Sequence, residues 1–126
     1  MGQIHKPPRL ALIVEDDPDV RSLAAALIEE TELEVVEATS GEEALAFLRR
    51  HAREVALVLA DIRLPDRMDG VELAKRIDAA WPWIKVVVTS GDPGDRLDDL
   101  PVEATYMPKP WRALEILMAA ERAAAR

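Results

Sequence analysis

The sequence predicts an α/β domain built on a five-stranded parallel sheet, doubly wound, with strand and helix alternating in a (βα)5 pattern. Short, uninterrupted apolar runs such as Leu10–Val14 and Val55–Ala60 read as strands buried on both faces. Stretches with apolar residues at helical spacing fall between them. Carboxylates follow two of the runs directly: Glu15-Asp16-Asp17 after the first and Asp61 after the second.

Each element has its own local reason. Leu10–Val14 is the first strand. Pro18 suits the opening turn of a helix, where a missing N–H has no partner to lose. Val20, Leu23, Ala24, Leu27 and Ile28 recur at i, i+3, i+4, i+7 and i+8, which predicts an amphipathic helix. Leu33–Ala38 reads as the second strand. Ser40 with Glu43 three residues on is a capping box, and Ala44, Phe47 and Leu48 form the stripe of the helix it opens. Val55–Ala60 is the third strand. A loop with Pro65 and Gly70 leads into a helix that uses Val71, Ala74 and Ile77, and Pro82 closes that region. Ile84–Thr89 is the fourth strand. Gly91–Pro101 has few apolar positions and several breakers, so it offers at most a short helix over Arg96–Leu100. Ala104–Met107 makes a short fifth strand. Trp111–Ala125 closes the chain as a helix, with Leu114, Leu117 and Met118 expected to face inward.

Composition narrows the function. A chain of 126 residues, 49% hydrophobic and 32% charged, fits one globular domain with a real core. Sixteen basic residues against twenty-four acidic ones leave a net charge of -8, which argues against direct nucleic-acid binding and against adsorption to an anionic membrane. There is no cysteine, so disulfide and thiolate chemistry are excluded. No apolar stretch is long enough to cross a bilayer, so no membrane insertion is expected. The N-terminal residues lack the apolar core of a signal peptide. The expectation is a cytoplasmic protein with a flexible N-terminal segment over residues 1–8 and one domain over residues 9–126. His5 and His51 show no metal-ligand spacing.

The carboxylates carry the chemistry. In an open α/β sheet, ligands gather at the carboxyl ends of the strands. Carboxylates brought together there repel, and a hard divalent cation with oxygen ligands relieves the repulsion. This points to Mg²⁺ and from there to phosphoryl chemistry. An isolated acidic cluster is more often solvated loop charge. The position of this one after a buried strand, with Asp61 directly after another, points instead to a site. Asp17 reads as the cap of the first helix.

Four separated pieces stand in order: Val14-Glu15-Asp16-Asp17-Pro18, Asp61 ahead of Leu64-Pro65 and Asp69-Gly70, Thr89-Ser90-Gly91, and Lys109-Pro110. Over nearly its whole length the chain resembles the receiver domains of bacterial two-component response regulators. The resemblance implies a flavodoxin-like fold. It implies that Asp61 is the phosphoacceptor, a carboxylate nucleophile served by the phosphohistidine of a sensor histidine kinase or histidine phosphotransfer protein. It makes Glu15, Asp16, Asp61 and the backbone carbonyl of Arg63 the Mg²⁺ ligands. It gives Lys109 a phosphoryl oxygen to neutralise and makes Ser90 the switch hydroxyl, or Thr89 if the strand register slips by one. Tyr106 takes the aromatic switch position, and Lys109-Pro110 is expected to be cis. Output would pass through a downstream protein partner, and a homodimer is compatible with the pattern.

Some features depart from the family pattern. The loop after Asp61 is one residue longer than the usual form, and the segment from Ser90 to Lys109 is short. The fourth helix is therefore expected to be shortened or irregular, and the face it shares with the fifth strand and the last helix to differ. Arg63 and Asp92, each two residues beyond a site position, are placed to pair across the pocket. Two other functions compete. A small Mg²⁺ phosphohydrolase of the haloacid-dehalogenase type also uses an aspartyl nucleophile, and Asp17-Pro18-Asp19 superficially matches its motif. A degenerate receiver acting as a phosphorylation-independent binding module is the other, against which the retained Glu15, Asp16, Asp61, Ser90 and Lys109 speak.

Overall fold

A computed structural model of the chain describes residues 8–92 and 96–125. The buried apolar runs become strands: β1 (Leu10–Val14), β2 (Glu34–Ala38), β3 (Val55–Asp61), β4 (Lys85–Ser90) and β5 (Thr105–Pro108). Between and after them lie α1 (Pro18–Ile28), α2 (Gly41–His51), α3 (Gly70–Ala80) and α4 (Ala113–Ala124). The strands form one parallel sheet in the order β2-β1-β3-β4-β5. This is the doubly wound arrangement that the alternation predicts, in the flavodoxin-like strand order that the resemblance implies. The strand order reverses between β1 and β3, so their carboxyl ends flank a crevice.

Side chains alternate across the sheet and build two cores. Leu12, Val14, Val58, Ala60 and Val88 pack against Ala44 and Leu48 of α2 and Val71 and Ile77 of α3. Ala11, Ile13, Leu59 and Val87 pack on the other face against Ala24 and Ile28 of α1 and Ile116 and Ala120 of α4. Every residue of the central strand β3 is buried, which explains its unbroken apolar run. Two helix starts follow the predicted chemistry: Asp17 accepts from the N–H groups of Asp19 and Val20, and Ser40 from Glu43. Asp69, which reads in the sequence as a loop residue, caps α3 by accepting from the Glu72 N–H. Glu43 returns to the N–H of Thr39 at 3.1 Å, one residue earlier than in an ideal capping box.

Two expectations need correction, while the fourth crossover is irregular as expected. Among the described residues it carries a 3₁₀ turn at Leu97–Asp99, within the Arg96–Leu100 span read as a short helix. Its apolar anchors are few: Leu97 and Leu100 are partly buried and pack on the α2/α3 side of the core. The closing helix is rotated relative to the predicted stripe. Leu114 is 66% exposed and Met118 42%, while Ile116, Ala119, Ala120 and Ala123 are buried. Likewise Leu23 of α1 is 56% exposed, and Ala24, Ala25 and Ile28 face inward. Both helices turn small residues toward the sheet and each other, which allows close approach. A reading weighted toward large apolar side chains selects the wrong stripe. The strand ends also shift: β3 continues through Asp61 and β4 through Ser90, so both polar residues lie inside the ladder. Pro108 is accommodated because β5 is an edge strand, where a missing N–H is tolerated. Residues 1–7 of the expected N-terminal segment lie outside the described residues.

Candidate functional site

The end of β1 delivers Glu15 and Asp16 to the crevice, and the end of β3 delivers Asp61. Glu15 is anchored by its N–H, which donates to the Ala38 carbonyl at 3.0 Å. Glu15 and Asp61 are buried, whereas Asp16 is exposed. Carboxylate oxygens from Glu15, Asp16 and Asp61 lie within 4.8 Å of one another. Lys109 arrives from the β5–α4 connection, where the Lys109-Pro110 bond is cis. Its Nζ donates to Glu15 Oε1 and to Asp61 Oδ2, each at 2.8 Å. The other oxygen of Asp61 accepts from the Arg63 backbone N–H at 3.0 Å. The Lys109 ammonium also sits 5.7 Å from the centre of the Trp111 ring.

Three carboxylates face one ammonium here. Burial pushes the Glu15 carboxyl above its ordinary range, with the Asp61 charge adding to the effect and the bonds from Lys109 and the Asp17 N–H opposing it. Burial pulls Lys109 down, but its hydrogen bonds and attraction to Asp61 and Glu15 outweigh that, and the ammonium is held above its usual value. The surplus negative charge is what a hard divalent cation offsets. The donor set is all oxygen and leaves room for water ligands, which is the coordination Mg²⁺ prefers.

The register separates the two hydroxyls of β4. Asp61 pairs with Thr89, and Thr89 with Met107. Val88 pairs with Tyr106, and Ser90 with Pro108. Alternation therefore puts Ser90 on the face of Tyr106 and Thr89 on the opposite face. Tyr106 donates to the Ser90 carbonyl at 3.1 Å. Ser90 Oγ donates to the Asp92 carbonyl at 3.1 Å and accepts from the Asp92 N–H at 3.0 Å. Thr89 Oγ1 is buried with no hydrogen-bond partner among the described residues. Arg63 and Asp92 do pair, with Nη2 and Oδ2 2.8 Å apart.

Gly70 has a structural role that the sequence reading missed. It opens α3 directly on the end of β3, and its N–H donates to the Ile62 carbonyl at 2.8 Å. A Cβ at this position would fall 2.3 Å from the Asp61 carbonyl oxygen. The available signal was the Asp69-Gly70 pair immediately ahead of a helical pattern, a cap followed by a residue without a side chain.

These positions match a known family. A model of the response regulator receiver domain matches residues 11–121. The chain belongs to that family. It is a phosphoacceptor signalling domain of the two-component type. It is 30% identical over 114 residues to the response regulator receiver protein CpdR of Brucella abortus, covering 88% of this chain and 92% of that protein. It is 38% identical over 84 residues to the transcriptional regulatory protein GlrR of Escherichia coli, which is 67% of this chain but only 18% of GlrR. The receiver domain of NtrX from Brucella abortus superposes with a TM-score of 0.78 at 30% identity, over 91% of this chain and 98% of that domain. Nothing in these likenesses favours a haloacid-dehalogenase-type hydrolase, and Asp17, the first residue of that apparent motif, is engaged as a helix cap. Receiver domains generally bind Mg²⁺ at an acidic pocket, and the receiver domain here carries such a group. No helix among the described residues is long and apolar enough to cross a membrane.

Proposed function

We propose that Asp61 accepts a phosphoryl group from the phosphohistidine of a sensor histidine kinase or histidine phosphotransfer protein. The supporting observation is the Glu15, Asp16 and Asp61 carboxylate cluster with Lys109 bridging its two buried members. Glu15, Asp16, Asp61 and the Arg63 carbonyl would hold Mg²⁺, which supplies charge neutralisation for the phosphoryl oxygens. An Asp61 oxygen attacks phosphorus, the P–N bond breaks, and the imidazole leaves as the acyl phosphate forms. Lys109 exchanges its bond to Asp61 for one to a phosphoryl oxygen. Ser90 turns its hydroxyl from the Asp92 backbone to the phosphoryl group, and Tyr106, bonded to the Ser90 carbonyl, follows. Although the register pairs Thr89 with Asp61, Ser90 is preferred as the switch because it shares its face with Tyr106, whose hydroxyl bonds its carbonyl.

In this reading residues 9–126 form a cytoplasmic signalling domain, not an enzyme. It changes its contacts with a downstream protein or with a second copy and does not bind nucleic acid directly. The test is intact-mass spectrometry after incubation with acetyl phosphate or phosphoramidate and Mg²⁺, on wild type, Asp61→Asn and Asp61→Ala. One Mg²⁺-dependent phosphate adduct, lost in folded mutants, is the expected result. A folded wild type that takes no phosphate and binds no beryllofluoride would instead be a binding module freed from the chemistry.

A further inference from the structure

Arg21 lies in α1, yet its side chain reaches back over the β1–α1 connection. Nη1 donates to the Glu15 backbone carbonyl at 2.9 Å, and Nε donates to Glu37 Oε1 on β2 at 2.8 Å. The side chain is only 19% exposed. We propose that Arg21 is a positioning residue for the divalent-cation site, fixing the peptide plane from which Asp16 projects. This rests on reading Glu15, Asp16 and Asp61 as cation ligands.

The Glu15 carbonyl and the Asp16 N–H belong to one planar peptide unit. Holding that carbonyl therefore fixes the Asp16 Cα and the N–Cα axis about which its side chain is placed. Glu15 itself is well restrained: its N–H is bound to Ala38, and its carboxylate to Lys109 and the Asp17 N–H. Asp16 differs. It is exposed, and among the described residues nothing donates to its carboxylate. Its place in the cluster comes from the backbone alone, and Arg21 braces that backbone. Glu37 anchors the other edge of the guanidinium, so α1, β2 and the loop are tied at one point. A planar fork makes two bonds in fixed directions, which a lysine ammonium on a flexible stem does not reproduce. An ion pair between helix and strand would by itself contribute little. It would also give no reason for the second bond to a loop carbonyl beside the carboxylates.

The experiment is a Mn²⁺ titration of the full chain without phosphodonor, read by the electron paramagnetic resonance of the free ion. Mg²⁺ competes in a second series. The variants are Arg21→Met, Arg21→Lys and Glu37→Gln, each also made in an Asp16→Asn background, with metal-free thermal unfolding as a control on the fold. Arg21→Met is expected to weaken Mn²⁺ binding about 10-fold, the lower end of losses seen when groups supporting metal ligands are removed, with Arg21→Lys and Glu37→Gln weakening it less. In the Asp16→Asn background, Arg21→Met should add almost nothing, because the plane matters only through Asp16. Wild-type affinity in Arg21→Met overturns the brace, as does an equal loss with and without Asp16. If Arg21→Met fails to fold, Arg21→Lys and Glu37→Gln decide on the same criterion. A folded wild type that binds no Mn²⁺ overturns the reading of the site and the brace together.

Discussion

Gly70→Ala should loosen the junction between β3 and α3 even though alanine is the better helix former. Gly70 is not in the left-handed region, so backbone freedom is not why glycine stands there. Space is the reason. The added Cβ would lie 2.3 Å from the Asp61 carbonyl oxygen and 2.8 Å from both the Asp61 carbonyl carbon and the Ile62 Cα. Ordinary carbon contacts fall near 3.5–4.0 Å, so α3 must withdraw by about 1 Å. All three obstructing atoms are backbone, and no side chain can rotate aside. Overpacking of this kind costs about 1–3 kcal/mol, and alanine recovers roughly 0.5–1 kcal/mol through backbone entropy. Because only backbone obstructs, the upper half of that range applies, and a net loss of about 1–2.5 kcal/mol follows, a fall in Tm of roughly 3–12 °C for a domain of this size. Phosphate uptake from acetyl phosphate should slow as well, because the displaced peptide carries Asp61. Urea unfolding of the metal-free protein measures the first effect. Gly91→Ala is the control, since no atom of the described residues lies within 4 Å of its Cβ position. Equal stability of Gly70→Ala and wild type would refute the steric account.

Ile116→Ala should destabilise by about 2–5 kcal/mol, whereas Leu114→Ser should stay within about 0.5 kcal/mol of wild type. The reverse order in chemical denaturation would restore the stripe drawn from large apolar residues. Thr89→Val removes a buried hydroxyl that has no partner among the described residues, so unfolding should show unchanged or slightly higher stability, with labelling at Asp61 retained. Loss of labelling would transfer the switch role from Ser90 to Thr89. The Glu15 carboxyl has a raised pKa in the folded, metal-free chain. Its contribution to stability is therefore complete below the ordinary glutamate range and is lost as pH rises through the folded value. Mg²⁺ favours the ionised form, so the gain in Tm on adding Mg²⁺ should be larger at about pH 7.5 than at about pH 5. Equal gains would show that Glu15 takes no part in binding.

Much of this molecule is legible in its sequence. Buried strands announce themselves as unbroken β-branched runs, because both faces of an inner parallel strand leave water. Helix caps are local, so Asp17 and Ser40 are recognisable from a few neighbours. Glu15, Asp16 and Asp61 could be nominated because they follow apolar strand runs, where open α/β sheets gather their ligands, whereas Lys109 came only from the resemblance to receiver domains. The irregular fourth crossover, with its 3₁₀ turn at Leu97–Asp99 among the described residues, is also visible in the breakers and sparse apolar positions of Gly91–Pro101.

Other features depend on which surfaces meet. The order β2-β1-β3-β4-β5 places the ends of β1 and β3 side by side, and no local pattern encodes that adjacency. The inward face of α4 is set by how closely alanines let it approach α1 and the sheet, a property of the helix pair rather than of either helix. Ser90 and Thr89 are equivalent hydroxyls until pairing with β5 assigns each a side of the sheet. Gly70 and Arg21 acquire their roles from distant chain, one from the backbone of Asp61 and the other from Glu15 and Glu37. Sequence by itself determined the elements and the chemical groups, because periodicity and capping act over a few residues. Tertiary structure decided which groups meet and which faces close, because those follow from packing between segments far apart in the chain.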